Sequence, residues 1–273
     1  VIGWLTDPVT LPKHAGRMGP LICVPIAAPM FRSHLLRTPL HICLLSSAAL
    51  FHGGAAMAQP LTDIGLFAGT APNTVEVRLR PDAAFSQVVS SLTFTVRWET
   101  ASGATIDPPA SLSLGLNCPS GIPLSPSSDG VRTDGAFSYY TFNAFGFSTL
   151  TNACPTQVWQ ANVERVIATI PVRPGASCAN FAIVNDAYTQ AQNKNFFISL
   201  NGLPRTDLIY GTPVRVLRGD LNRDGLVNTS DFAIFISAFG SACTGCAADL
   251  DQNGTVNTSD FALFILAFGQ SCL

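Results

Sequence analysis

Gly219-Asp-Leu-Asn-Arg-Asp-Gly-Leu-Val-Asn-Thr-Ser-Asp-Phe-Ala-Ile-Phe-Ile-Ser-Ala-Phe-Gly240 is followed, 29 residues on, by Ala248-Asp-Leu-Asp-Gln-Asn-Gly-Thr-Val-Asn-Thr-Ser-Asp-Phe-Ala-Leu-Phe-Ile-Leu-Ala-Phe-Gly269. So close a duplication is itself structural information, because like segments build like units. Each copy places oxygen side chains at loop positions 1, 3 and 5 and a glycine at position 6. Calcium takes about six to eight hard oxygens, and this spacing wraps the chain around one ion while glycine permits the tight turn.

The expected ligands of the first loop are Asp220, Asn222, Asp224, the carbonyl of Leu226, Asn228 directly or through water, and Asp231. Those of the second are Asp249, Asp251, Asn253, the carbonyl of Thr255, Asn257 and Asp260. Each loop brings three carboxylates, one more negative charge than a divalent ion neutralises. Magnesium fits less well, since it demands a tighter octahedral shell and keeps its waters. Two Asx-rich turns holding no metal would explain one such loop easily and two in register poorly.

Behind each loop the spacing predicts a helix closed by glycine: Phe232, Phe235, Ile236 and Phe239 before Gly240, then Phe261, Phe264, Ile265 and Phe268 before Gly269. The two phenylalanine stripes are expected to pack on each other, with Asp231 and Asp260 at the helix starts complementing both macrodipole and ion. A unit this small buries little surface, so metal binding supplies part of its folding free energy.

Two loop-plus-helix repeats without a helix ahead of each loop resemble the type I dockerin domain, over about Arg218 to Leu273. The resemblance implies two calcium ions and docking to a cohesin module in extracellular polysaccharide-degrading assemblies. It places the recognition pair just before the last calcium ligand, on Thr229-Ser230 and Thr258-Ser259; the pairs are identical, so either repeat can present the same surface. The helices here end in Ser-Ala-Phe-Gly and Leu-Ala-Phe-Gly, without the basic residues that commonly follow in dockerins engaging cohesins.

Upstream, from about Leu61 to Val216, apolar and polar residues alternate at period two. Val75, Val77 and Leu79 oppose Glu76, Arg78 and Arg80; Leu92, Phe94, Val96 and Trp98 oppose Thr93, Thr95, Arg97 and Glu99. Similar runs cover Leu112 to Leu116, Phe137 to Phe142, Glu164 to Ile170, Phe181 to Val184, Phe196 to Leu200 and Thr212 to Val216, separated by turn clusters such as Asp107-Pro108-Pro109. Strands with one apolar face need a second sheet to cover them, so the fold class is mainly β: an antiparallel β-sandwich followed by a small α-helical calcium-loop domain.

Still further upstream, Arg32 and Arg37 precede an apolar run from Ile42 to Phe51, and Ala56-Met57-Ala58 supplies small residues at a cut before Gln59. That pattern reads as a secretory signal peptide, and its apolar core is too short to span a bilayer comfortably. The expected organisation is 1–29, an upstream segment not native to a product translated from Met30; 30–58, signal peptide; 59–217, sandwich; and 218–273, dockerin-like domain. No membrane span is expected after cleavage.

All four histidines (His14, His34, His41, His52) precede Gln59, so imidazole-dependent triads and zinc sites are excluded from the mature chain. Six cysteines remain, an even number that suits disulfides in an exporting compartment; Cys246 with Cys272 is the preferred pair, and a redox or zinc role for Cys243-Thr-Gly-Cys246 is disfavoured. With 15 basic and 17 acidic residues in 273, the chain lacks the basic field a nucleic-acid partner needs.

A glycosidase would need two facing carboxylates, for which Glu99 with Asp107 or Glu164 with Asp186 are conceivable. Glu76, Glu99 and Glu164 fall on polar strand faces, where a charge ordinarily faces water. Tyr139, Tyr140, Trp98 and Trp159 form either a sugar-stacking platform or core. No catalytic residue is assigned. These residues point to a secreted calcium-binding protein whose dockerin-like module anchors a non-catalytic sandwich to a cohesin-like or other extracellular partner, in polysaccharide binding or degradation; the alternative is a carbohydrate-active hydrolase delivered by its dockerin.

Overall fold

In the computed structural model, residues 60–86, 89–106, 112–113, 123–145, 159–243 and 245–272 are described. The signal-peptide and upstream readings, the four histidines, Asp107, Cys118 and Cys154 all lie outside the described residues.

The alternation read from the sequence becomes a two-sheet core. Strand β3 (Val89–Glu99) buries Leu92, Phe94, Val96 and Trp98 on one face. It pairs in full antiparallel register with β8 (Phe137–Phe145), setting Phe94 opposite Phe142 and Val96 opposite Tyr140. On its other side lie β11 (Phe197–Leu200) and β10 (Ala179–Ile183), and beyond β8 lies β6 (Pro123–Pro126). The facing sheet runs β13 (Thr206–Tyr210), β1 (Thr62–Ala68), β2 (Thr74–Pro81), β9 (Arg165–Arg173), β4 (Thr105–Ile106). One continuous apolar cluster joins Val75, Val77, Leu79, Ile167 and Ile170 of this sheet to Phe94, Val96, Phe142 and Ile198 of the other.

Two features depart from the simple pattern. The β1–β13 pairing at the sheet edge is parallel, whereas β1–β2 and β2–β9 are antiparallel. Glu76, expected to face water, is only 4% exposed; it pairs with Arg78 at 2.8 Å and accepts the Thr70 amide. A buried carboxylate requires such partners.

Helix α1 (Ala187–Ala191) is a single short turn within the sandwich. Helices α2 (Thr229–Ala238) and α3 (Thr258–Ala267) follow the two loops. Their rings interlock: Phe235 stacks on Phe264 at 5.3 Å, and the reciprocal pairs Phe232–Phe264 and Phe235–Phe261 lie at 5.9 and 6.0 Å. Only part of each stripe is core. Phe235 and Phe264 are fully buried with Leu217, Val227, Val256 and Ala267, while Ile236, Phe239, Ile265 and Phe268 are about half exposed. Two helices of this length meet along one narrow seam, and among the described residues the outer half of each stripe is left uncovered.

The post-helix segments cross over between repeats. Gly240 and Cys243 amides donate to the carbonyls of Val256 and Gly254 in the second loop; Gly269 and Cys272 amides donate to those of Val227 and Gly225 in the first. Each loop is thus braced by the tail of the other repeat's helix. Sandwich and helical region lie in one compact unit, Ala55–Leu273.

The disulfides differ from the preferred pairing. Cys272 bonds to Cys178, just ahead of β10, and Cys246 bonds to Cys243. The crossover accompanies this difference: the Gly269–Cys272 tail is held along the first loop, and Cys272 there meets Cys178.

Candidate metal centre

The two loops repeat the same hydrogen-bonded frame. Asp220 accepts the amides of Asp224 and Gly225 at 3.1 and 2.9 Å, and Asp249 accepts those of Asn253 and Gly254 at 3.0 and 2.8 Å. Gly225 and Gly254 at position 6 have φ of 87° and 90°, the left-handed region that glycine enters without steric cost. Position 4 takes the same turn with an ordinary side chain: Arg223 has φ 63° and Gln252 φ 60°.

At the far end of each loop an aspartate closes the ring. Asp231 accepts the amides of Leu221, Asn222 and Asn228 at 2.7, 3.1 and 2.9 Å; Asp260 accepts those of Asp251 and Asn257 at 3.0 and 2.8 Å. These are also the third residues of α2 and α3, so one carboxylate completes a capping box and turns its oxygens to the loop centre. Asn228 and Asn257 cap the helices, their Oδ1 atoms accepting the Ser230 and Ser259 amides at 2.7 Å.

The carboxylates converge as the spacing predicts. Oxygens of Asp220, Asp224 and Asp231 lie within 4.8 Å of one another, as do those of Asp249, Asp251 and Asp260. Asn222 and Asn253 sit beside them, each hydrogen-bonded through its amide nitrogen to the neighbouring aspartate, while the Thr255 carbonyl accepts the Asn257 amide. Asp231, Asp260 and Asp249 are almost wholly buried. Among the described residues, no lysine or arginine forms an ion pair with any of these six carboxylates. Burial, with the Asp231 carboxylate adding to it, raises the Asp220 pKa against the pull of backbone amides. Buried like charges without a counter-charge are what a hard divalent cation neutralises, and the all-oxygen donor set fits one.

The family model of the dockerin type I domain matches residues 218–268. That stretch is a dockerin type I domain. A solved type II cohesin-dockerin domain from Bacteroides cellolosolvens is 37% identical over 21% of this chain and 92% of its own, with a TM-score of 0.20. The sixth cohesin of scaffoldin B from Acetivibrio cellulolyticus, in complex with a Cel5 dockerin, is similar at 12% identity, covering 59% of this chain and 99% of its own, TM-score 0.33. A non-cellulosomal cohesin from the archaeon Archaeoglobus fulgidus gives 12%, 59%, 94% and 0.32 in the same order. No curated protein sequence matches the chain.

The hydroxyl pairs Thr229-Ser230 and Thr258-Ser259 occupy the first turns of α2 and α3 in the dockerin domain and are exposed. In the sandwich, the candidate acids are drawn to separate partners. Glu99 accepts from the Asn180 amide and side chain, Glu164 pairs with Arg78, and Asp186 pairs with Arg97. Trp98, Tyr139, Tyr140 and Trp159 are all buried, which removes them as a sugar-stacking strip. Sequence reasoning missed the outward reach of Arg223 and Gln252. Their only signal was an ordinary side chain at a position whose backbone must turn left-handed.

Proposed function

We propose that this is a secreted protein that binds two calcium ions, one in each loop. In this reading its dockerin domain attaches a non-catalytic β-sandwich to a cohesin-like module outside the cell, in polysaccharide binding or degradation. The observation that carries it is the pair of converging carboxylate clusters, which form no ion pair with a lysine or arginine among the described residues. The outer surface of α2 and α3 supports a protein partner: Ile234, Ile236, Phe239, Ile265, Leu266 and Phe268 are exposed alongside the hydroxyl pairs. Exposed apolar surface of this kind marks interaction sites. Among the described residues no helix is long and apolar enough to cross a membrane.

Calorimetric titration of the full chain with calcium is expected to report two ions per molecule, with helical circular dichroism falling on chelation. Absence of heat and of any spectral response sinks the reading. The calcium-loaded chain is then expected to bind an immobilised cohesin panel, and to release it with chelator.

A further inference from the structure

The tips of both loops, though partly solvated, reach the sandwich through one side chain each. At position 4 of the first loop, the Arg223 guanidinium donates to the carbonyls of Gly69 and Ala71, in the turn between β1 and β2, at 2.6 and 2.7 Å. At the equivalent position of the second loop, Gln252 Oε1 accepts from Arg173 Nε at the end of β9, at 3.1 Å. The loop carboxylates border the clefts left between: Asp220 and Asp224 face Asn73 and Thr74 across one, and Asp249 faces Pro72 and Pro171 across the other. The third tie is covalent. Cys272, whose amide braces the first loop at Gly225, is bonded to Cys178 of the sandwich.

We infer that the two loop tips are an intramolecular docking surface whose partner is the chain's own sandwich, and that ion uptake and docking form one coupled equilibrium. This rests on the calcium reading above and adds to it. The coupling follows from the backbone. A non-glycine residue in the left-handed region is disfavoured, yet position 4 adopts it in both loops whose carboxylates converge. Anchoring the Arg223 and Gln252 side chains to the sandwich holds that conformation in advance, so the docked domain presents its oxygens already gathered. Linkage then requires the reverse: calcium must strengthen docking by the same factor. Docking is intramolecular through chain continuity at Leu217–Arg218, and the Cys178–Cys272 bond adds a second tether that keeps the weak polar ties effective. With the tips engaged in this way, the outer surface of α2 and α3 is left free for a second partner.

The test compares full-length wild type, R223A, Q252A and the double variant by calcium calorimetry, with hydrogen exchange of the Gly69–Thr74 turn as the reciprocal readout. Expected are a calcium affinity about fivefold or more weaker in the double variant, smaller losses in the singles, and calcium-dependent slowing of exchange in the wild-type turn that the double variant lacks. R223K, which keeps the charge but cannot fork between two carbonyls, is expected to lie between wild type and R223A and covers the case of a misfolded alanine variant. Equal calcium affinity in wild type and double variant, with an unresponsive turn, overturns the coupling while leaving calcium binding intact. A wild-type chain that takes up no calcium fails the functional reading first and removes the coupling with it.

Discussion

The sandwich and the dockerin domain solve the same problem with opposite means. In the sandwich, an unbroken apolar cluster runs from Ile64 to Val214, and its charges are paired within the protein: Arg80 with Asp63, Arg78 with Glu76 and Glu164, Arg97 with Asp186. In the dockerin domain the buried apolar cluster is small, and six carboxylates converge in two groups, with no ion pair to a lysine or arginine among the described residues. One region is held by area removed from water; in the calcium-binding reading proposed above, the other depends on cross-links and a ligand. Stability in this chain is therefore divided, with one part intrinsic and the other conditional on what the surroundings supply.

The disulfides offer the sharpest way to break that contrast. Cys243 and Cys272 are equivalent positions of the repeat, since 243 + 29 = 272, and each lies on the tail that braces the opposite loop. Yet they close chain loops with sequence separations of 3 and 94. Loop-closure entropy gives about 5 kcal/mol for the long loop and about 2 kcal/mol for the short one. C178A/C272A is expected to lower the urea midpoint of the dockerin domain well below that of C243A/C246A, with the sandwich transition little moved. Equal midpoints would deny the long cross-link its role.

Truncating one buried ring in each region comes next in size. Phe264→Ala and Phe94→Ala each remove a fully buried ring, costing about 3–5 kcal/mol. The two losses are expected to respond differently to calcium. A ligand that binds only the folded state adds about 4 kcal/mol at a thousandfold excess over Kd, enough to restore a small domain built around it. Thermal unfolding should show F264A rescued by calcium and F94A raised only by the smaller increment that docking passes to the sandwich. Rescue of both would mean that the regions melt as one.

What was legible in the sequence follows the same division. The convergence of the loop carboxylates could be read because it is local: Asp220 and Asp231 are brought together by a loop whose glycine and oxygen positions are fixed by spacing alone. The strands could be read where one face is buried, as in β3. Strands β1 and β13 were harder. Gly65 weakens the pattern of β1, and a Cβ there would meet the Phe67 and Tyr210 rings, which pack at 5.5 Å. β13 is an edge with little contrast in burial. Pairings between distant residues left no local trace, so neither the Cys178–Cys272 bond, the burial of Glu76 nor the anchorage of Arg223 could be inferred from spacing. The outward half of the phenylalanine stripes misled because helical periodicity defines a face without saying how much of it is covered.

The smallest expected effect concerns a helix start common to both regions. Asp186 caps α1, accepting the Thr189 amide at 3.0 Å, in the position Asn228 and Asn257 hold at α2 and α3, and here the carboxylate has a built-in cation: Arg97 donates at 3.0 Å and the Tyr139 hydroxyl at 3.2 Å. Burial raises the Asp186 pKa, yet the Thr189 amide, Arg97 and Tyr139 together outweigh it and leave the carboxyl below its ordinary value of 3.8. The unfolded chain then binds the proton more readily, so this contribution is fully present above that value and is lost as pH falls through the lower folded one. Asp186→Asn keeps a capping oxygen and removes the charge. It is expected to cost about 1 kcal/mol or less at neutral pH, since the pair is partly solvated. The cost should disappear in acid, and calcium should leave it unchanged at every pH. Denaturant unfolding of wild type and D186N across the acid range checks this; a cost that persists below the folded pKa, or that calcium removes, would place Asp186 with the aspartates proposed to hold calcium and erase the contrast between the two regions.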